Sequence, residues 1–348
     1  MAAHRYDQAL AREVAATGWY LGLPAVQVGA VCAVCEPGTL VRADQGTLLR
    51  ELRADARAKG RQPQPQAYPN ALEARYRAQL RRRVRNTHKL TMQAIKAALV
   101  PLAPEINARS KARDRADAAS LQVVTASRHD DDLDLAELLV SCRLDSPTTD
   151  KRALLRVIAR VQAAVAVASP VQTELLFTLA QQVRSYATRS VTSQILTVVG
   201  VDVLPTLGNA SHLLGKWADD QAKLIKSLDS RYFDEIRDAV TTTVVEGHST
   251  RTLSKAIADR YGVARSRADL IATDQVGTLN GKITEERQTS LGIESYIWDN
   301  SGDQRVRPIH RDAPEGIGGT TRKWSQPHPT EGHPGLPIRC RCSALPVI

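Results

Sequence analysis

The stretch "IESYIW", Ile293–Trp298, marks the point where the chain changes period. Ile293, Ser295 and Ile297 fall on one side and Tyr296 and Trp298 on the other, the alternation of a short strand. From Ala71 up to Gly292 the apolar residues instead recur every three or four positions, as they do on helices. Beyond Trp298 the sequence turns repeatedly through "DNSGD", "PEGIGG" and "SQPHPTEGHPGLP", then alternates again in "IRCRCSALPVI". The fold class that follows is mainly α, made of long helices, with a small C-terminal α+β domain. Its expected parts are an N-terminal arm and linker over 1–71, a helical domain over 72–292, and the small terminal domain over 293–348.

Working back from Ile293, punctuation divides the helical region. One helix is expected over Ala210–Val245, one from the N-cap Ser249 to Gly262, and one from Ala264 to Leu291, with Gly247, Gly262 and Gly292 as left-handed C-caps. The last of these should bury Ala268, Ile271, Ala272, Gln275, Leu279 and Ile283. Further back, Ser169, Pro170 and Gln172 read as a capped start for a helix reaching Val199. "DSPTTDKRALLRVIARVQAAVAVA" sets Leu154, Leu155, Ile158, Val161 and Val165 on one face. "ALEARYRAQLRRRVRNTHKLTMQAIKAAL" places Leu72, Tyr76, Leu80, Val84 and His88 in a stripe, with Arg75, Arg77, Arg81, Arg82, Arg83 and Arg85 around it. Between these helices, "NARSKARDRADAASLQVVTASRHDDDLDLAELL" reads as a charged connector. "GRQPQPQAYPN", Gly60–Asn70, reads as a linker without an apolar face.

The chain of 348 residues carries 47 Lys and Arg against 37 Asp and Glu, a net charge of +10. That excess favours an anionic partner, and the arginines of the Arg75–Arg85 helix are the candidate contacts to DNA phosphates. The bland alternative is a solvated helix face. No base-reading motif is present, so sequence-specific recognition is not expected. The first twenty residues carry charges where a signal peptide has its apolar core, and no stretch is apolar enough for a membrane span. Five cysteines, an odd number, do not form a secreted disulfide framework, so synthesis in a reducing cytoplasm is expected. Cys32 and Cys35 form a CxxC without a second half-site, which reads as two small buried hydrophobes.

The terminal region concentrates the chemistry. If "IRCRC" is a strand, Cys340 and Cys342 share one face and Arg339 and Arg341 the other. Two thiols on one face could chelate a metal if histidines complete the set, with His310, His328 and His333 available. The spacing is unlike the usual Cys-x2-Cys, so a dry thiol pair is the favoured reading and no cofactor is expected, with zinc as the alternative. In "DQRVRPIH", Asp303, Arg305 and Arg307 alternate as on one side of an extended segment, with His310 three further on. Carboxylate–guanidinium pairs and a bridging imidazole would clasp a domain that has little core. No nucleophile elbow, HExxH, P-loop or GxGxxG accompanies them, so no catalytic residue is assigned.

These residues carry a resemblance. Trp298, Asp303, Arg305, Arg307, His310, Arg339, Cys340, Arg341 and Cys342 resemble the motif of the phage Mu protein F-like family of phage head morphogenesis proteins (minor capsid proteins). "LIATDQVGTLN", Leu270–Asn280, "KWADDQAKLIKSL" and "EGHST" look like the family's helical region. The likeness covers about Gly200–Ile348 and extends from Leu72 more loosely. Many relatives have cysteines in the first half of the motif and a histidine before the last Cys-Arg-Cys. Here Arg307, His310 and Pro337 hold those positions, which favours an ion-pair clasp over a metal site.

What the resemblance implies is a structural, non-enzymatic protein of the virion. It would be a minor component inside a tailed-phage head near the portal, acting in head assembly and in DNA packaging or ejection. Its partners would be the portal protein, other head or scaffold proteins, and packaged double-stranded DNA bound without sequence preference; no membrane is involved. The alternatives are a metal-dependent hydrolase or nuclease using the terminal His/Cys cluster, with His310, His333, Cys340 and Cys342 as candidate ligands, or a stand-alone non-specific DNA-binding protein.

Overall fold

The computed structural model describes residues 58–126, 148–200 and 211–348, together with Trp19–Tyr20, Leu23–Pro24, Ala30–Val31, Leu40–Val41, Ala54 and Ala56. Five long helices dominate the described residues: α1 (Asn70–Ala126), α2 (Thr148–Ala168), α3 (Thr173–Val199), α4 (Ser211–Val245) and α5 (Thr250–Ser290). The four early strands, β1 (Trp19–Tyr20) to β2 (Leu23–Pro24) and β3 (Ala30–Val31) to β4 (Leu40–Val41), form two short antiparallel pairs. After α5 come β5 (Ser295–Asp299), β6 (Thr321–Lys323) and β7 (Ser343–Pro346) in one antiparallel sheet of order β6-β5-β7. The chain is thus mainly α with a small α+β part at its C-terminal end. The CxxC at Cys32 and Cys35 and the acidic run at Asp130–Asp132 lie outside the described residues.

Several boundaries differ from the periodicity reading. The expected connector after Asn107 is helical as far as Ala126, and α1 passes through Pro101 and Pro104. Both prolines sit at exposed positions, and each costs one ladder bond that the rest of a 57-residue helix can spare. Ser169 does not start α3: its backbone N–H still donates to Val165 O at 2.9 Å, so it closes α2. Gly262 ends nothing, because it lies inside α5, which runs unbroken for 41 residues from Thr250 to Ser290. Ser249 does cap α5, its Oγ accepting the Thr252 N–H at 3.3 Å. Gly247 and Gly292 have φ of +66° and +68° and stand just beyond α4 and α5, as a left-handed C-cap requires.

Two compact units emerge, and α1, α4 and α5 each contribute to both. One unit gathers Arg77–Gln172 and Ala222–Asp269. Its core draws on Leu80, Val84, Ile95, Leu154, Ile158, Phe233, Ile236 and Leu253. His88 stacks on Tyr261 with 4.3 Å between ring centres, and its Nδ1 meets the Tyr232 hydroxyl at 2.9 Å. The other unit gathers, among the described residues, those up to Tyr76, those within Thr173–Gln221, and Leu270–Ile348. It contains every terminal motif residue.

The expected linker is a built part of that second unit. Pro63, Gln66 and Pro69 are buried while most of their neighbours are exposed, a period of three that suits an extended proline-rich chain. Backbone oxygens of this segment accept from α3: Gln194 Nε2 donates to Gln64 O at 2.9 Å and Tyr186 Oη to Ala67 O at 2.7 Å. Tyr68 Oη donates to Thr273 O on α5 at 3.1 Å. Ala56, just before it, joins Val191, Ile195, Val198, Leu291, Ile293 and Ile348 in an apolar cluster.

Candidate functional site

Strand β5 presents Tyr296 and Trp298 inward, both 0 % exposed, as its alternation predicts. Around them pack Ile317, Trp324, Cys340, Cys342 and Ala344. Trp324, which sequence reasoning did not single out, lies 4.3 Å from Tyr296 ring to ring and donates its indole N–H to Gln288 Oε1 at 3.2 Å. Gln288 in turn donates to Ala344 O at 2.7 Å, tying the end of α5 to β7.

The motif residues after β5 are not extended. Asp303 opens a turn in which its Oδ1 accepts the Arg305 N–H at 2.9 Å and its carbonyl the Val306 N–H at 3.1 Å. Arg305 pairs with Asp303 at 3.4 Å, whereas Arg307 pairs with Glu331 at 3.1 Å. A 3-10 turn, Pro308–His310, then drives His310 inward to 2 % exposure. The residues Ile338–Cys342 are not a strand either, since pairing begins only at Ser343. Arg339 sits in a turn with φ +60°, and its N–H donates to Asp274 Oδ1 at 3.3 Å. Cys340 and Cys342 nevertheless both face the core, 5 % and 6 % exposed.

Two glycines of α5 make room for this loop. A Cβ at Gly281 would stand 2.6 Å from Pro334 O, and one at Gly277 would stand 3.0 Å from Cys340 O. Gly335, at φ +85°, packs its own backbone against both. The sequence "DQVGTLNG" therefore carries a docking face for Pro334–Cys340 that apolar periodicity alone does not reveal.

His310, Cys340 and Cys342 converge, with their ligand atoms all within 4.8 Å of one another. His310 Nδ1 is 3.8 Å from Cys340 Sγ and 3.5 Å from Cys342 Sγ, while its Nε2 is 2.9 Å from Glu331 Oε2. Glu331, absent from the sequence-based selection, thus links Arg307 to His310. Burial alone would lower the His310 pKa, but the Cys340 sulfur and the Glu331 carboxylate together hold it above the ordinary value. The Cys342 thiol donates toward Cys340, which lowers Cys340 to about 5 and raises Cys342. A nucleophilic role for Cys340 meets an obstacle in its burial.

His333 and His328 do not join this cluster. His333 is buried among Tyr296 and Trp324, with Nδ1 2.9 Å from the Tyr296 hydroxyl, and burial lowers its pKa. His328 caps its own turn, its Nδ1 accepting the Glu331 N–H at 3.2 Å.

Arg341 leaves the cluster toward the first helix. It donates to both carboxylate oxygens of Glu73, at 3.2 and 3.0 Å, and lies 5.5 Å above the Tyr68 ring. Thr273 Oγ1 donates to the same carboxylate at 2.9 Å, and Asp303 lies 3.5 Å from the guanidinium. Thr273 and Asp274 of "LIATDQVG" therefore hold Glu73 and Arg339 in place. A cleft of about 580 Å³ opens beside Arg341, lined among others by Tyr68, Asp299, Asp303 and Arg305. Of the arginines proposed for DNA, Arg75, Arg82 and Arg85 are exposed. Arg81 and Arg83 are engaged with Asp269 and Asp229, at 2.5 and 2.6 Å.

Comparison with known proteins agrees with the motif. A family model described as phage Mu protein F like protein matches residues 234–345. An uncharacterized protein of Haemophilus influenzae is 31% identical over 161 residues, which is 45% of this chain and 35% of that protein. The chain thus spans about a third of the length of the curated relative it matches. No solved structure matches.

Proposed function

We propose that the protein is a structural minor component of a tailed-phage head, held inside the capsid near the portal and acting in assembly and in DNA packaging or ejection. The observation that carries this reading is the match of residues 234–345 to the phage Mu protein F like family, over a segment that contains the whole His310/Cys340/Cys342 clasp. Its partners are portal protein, other head or scaffold proteins, and packaged DNA. Supporting the last are the net charge of +10 and the exposed Arg75, Arg82 and Arg85, which need only reach phosphates. A hydrolase centred on His310, Cys340 and Cys342 is less well supported, because all three are 6 % exposed or less. Among the described residues no single helix is long and apolar enough to cross a membrane.

Purified heads provide the test. Mass spectrometry of immature and DNA-filled heads should detect the chain at low copy, and tagged protein should retain portal protein. Its absence from both kinds of head rules the proposal out.

A further inference from the structure

The geometry points to a zinc ion bound by Cys340 Sγ, Cys342 Sγ and His310 Nδ1, with Glu331 orienting the histidine from behind. This reverses the expectation that Arg307 and Pro337 leave only an ion-pair clasp. Zinc binds thiolate at about 2.3 Å and imidazole at about 2.05 Å, so a tetrahedral site sets nitrogen and sulfur about 3.6 Å apart. The two N···S separations here are 3.5 and 3.8 Å. The ion fits between the three ligands with small side-chain adjustments.

The surroundings are those of a metal site rather than of a dry thiol pair. A metal-bound histidine characteristically gives its other ring nitrogen to a carboxylate, which fixes the tautomer and the ring. His310 does this, Nε2 meeting Glu331 Oε2 at 2.9 Å, and Arg307 steadies that carboxylate from 3.1 Å. The buried indole N–H of Trp298 meets no hydrogen-bond acceptor among the described residues. A cation between Cys340 and Cys342, 5% and 6% exposed, would offset two negative sulfurs held in a core. On binding, both thiols release their protons and the imidazole enters neutral. No other His, Cys, Asp or Glu among the described residues joins the group, so the fourth vertex falls to water. The ion acts on folding, closing a domain whose loops are long and whose sheet is short.

The test is zinc content of the full-length protein, purified, stripped with chelator and re-equilibrated with zinc alone. One equivalent per chain is expected, with cobalt(II) in its place giving the sulfur-to-metal charge-transfer absorption of thiolate coordination. C342S should lose that absorption. E331Q, which leaves all three ligands in place and whose folding is checked by circular dichroism, should bind zinc about 10- to 100-fold more weakly. C32S/C35S should retain the full equivalent. The inference is overturned if folded protein takes up less than about a tenth of an equivalent, if cobalt binds without charge transfer, if E331Q binds as tightly as the parent, or if C32S/C35S is the variant that loses the ion.

Discussion

Arg341 grips Glu73 with two hydrogen bonds across 268 positions of sequence, and both side chains are almost wholly buried, at 9% and 2% exposure. The pair joins the first turn of α1 to the loop that carries the two cysteines. Removing one partner strands the other's charge in the interior, which costs about 3–5 kcal/mol. R341A should therefore lower the free energy of unfolding by that amount in urea titrations. R341K should recover little of it, because an ammonium cannot reproduce the paired fork. A loss under about 1 kcal/mol for R341A would mean that water reaches the pair freely.

Two glycines of the same helix should respond in opposite directions. Gly281 has no room for a methyl group beside Pro334 O, at 2.6 Å, so G281A should destabilise by about 1–3 kcal/mol. Gly262 lies inside α5, is exposed, and has nothing within 4 Å of a Cβ position. There G262A should stabilise by about 0.5–1 kcal/mol, as alanine does within a helix. Paired thermal melts decide the point; equal shifts for both variants would contradict the placement of α5.

His88 supplies a pH dependence. Burial lowers its pKa below the ordinary value in the folded state. The unfolded chain then binds the proton more readily, so the stabilising contribution is full above about pH 6.5 and is lost as the pH falls toward and through the folded value. An NMR titration should place the His88 midpoint below about 6.5. H88Q should flatten that part of the stability curve. A midpoint at or above the free-histidine value would contradict the half-buried stack on Tyr261.

DNA binding should separate the arginines of α1 by their engagement. R75Q/R82Q/R85Q removes only exposed charges and should reduce both the affinity and the steepness of the salt dependence, by about 0.9 in the log–log slope for each phosphate no longer neutralised. R83Q should act mainly on stability, since Arg83 holds Asp229 at 2.6 Å. An unchanged salt slope in the triple variant would assign that face to protein contacts.

The helices and the strand at Tyr296–Trp298 are legible in the sequence because each is a matter of local period. The boundaries that differ are those where one residue type serves two purposes. Gly262 is a helix stop by composition yet lies within α5, and Ser169 has the chemistry of a cap yet closes the helix before it. The clasp is legible in part. His310, Cys340, Cys342 and Arg341 stand out as chemically distinctive residues close to one another in the chain. Glu73 and Glu331 do not, because a glutamate in a helix's first turn or in a polar loop is ordinary until its distant partner is known. Pro63, Gln66 and Pro69 are hidden for a different reason: a period of three in a proline-rich stretch looks like a spacer when only periods of two and of three to four are sought.

The segment recognisable by comparison and the segment that can fold are consequently not the same. Residues 234–345 include α5, β5, β6, most of β7 and the two cysteines of the clasp, but not Glu73, Tyr68 or α3. A fragment cut to that span would expose the guanidinium of Arg341 without its carboxylate and the apolar flank that Val191, Ile195 and Val198 cover. Any change at Arg341 or Thr273 must therefore be matched at Glu73, some two hundred or more positions earlier in the chain.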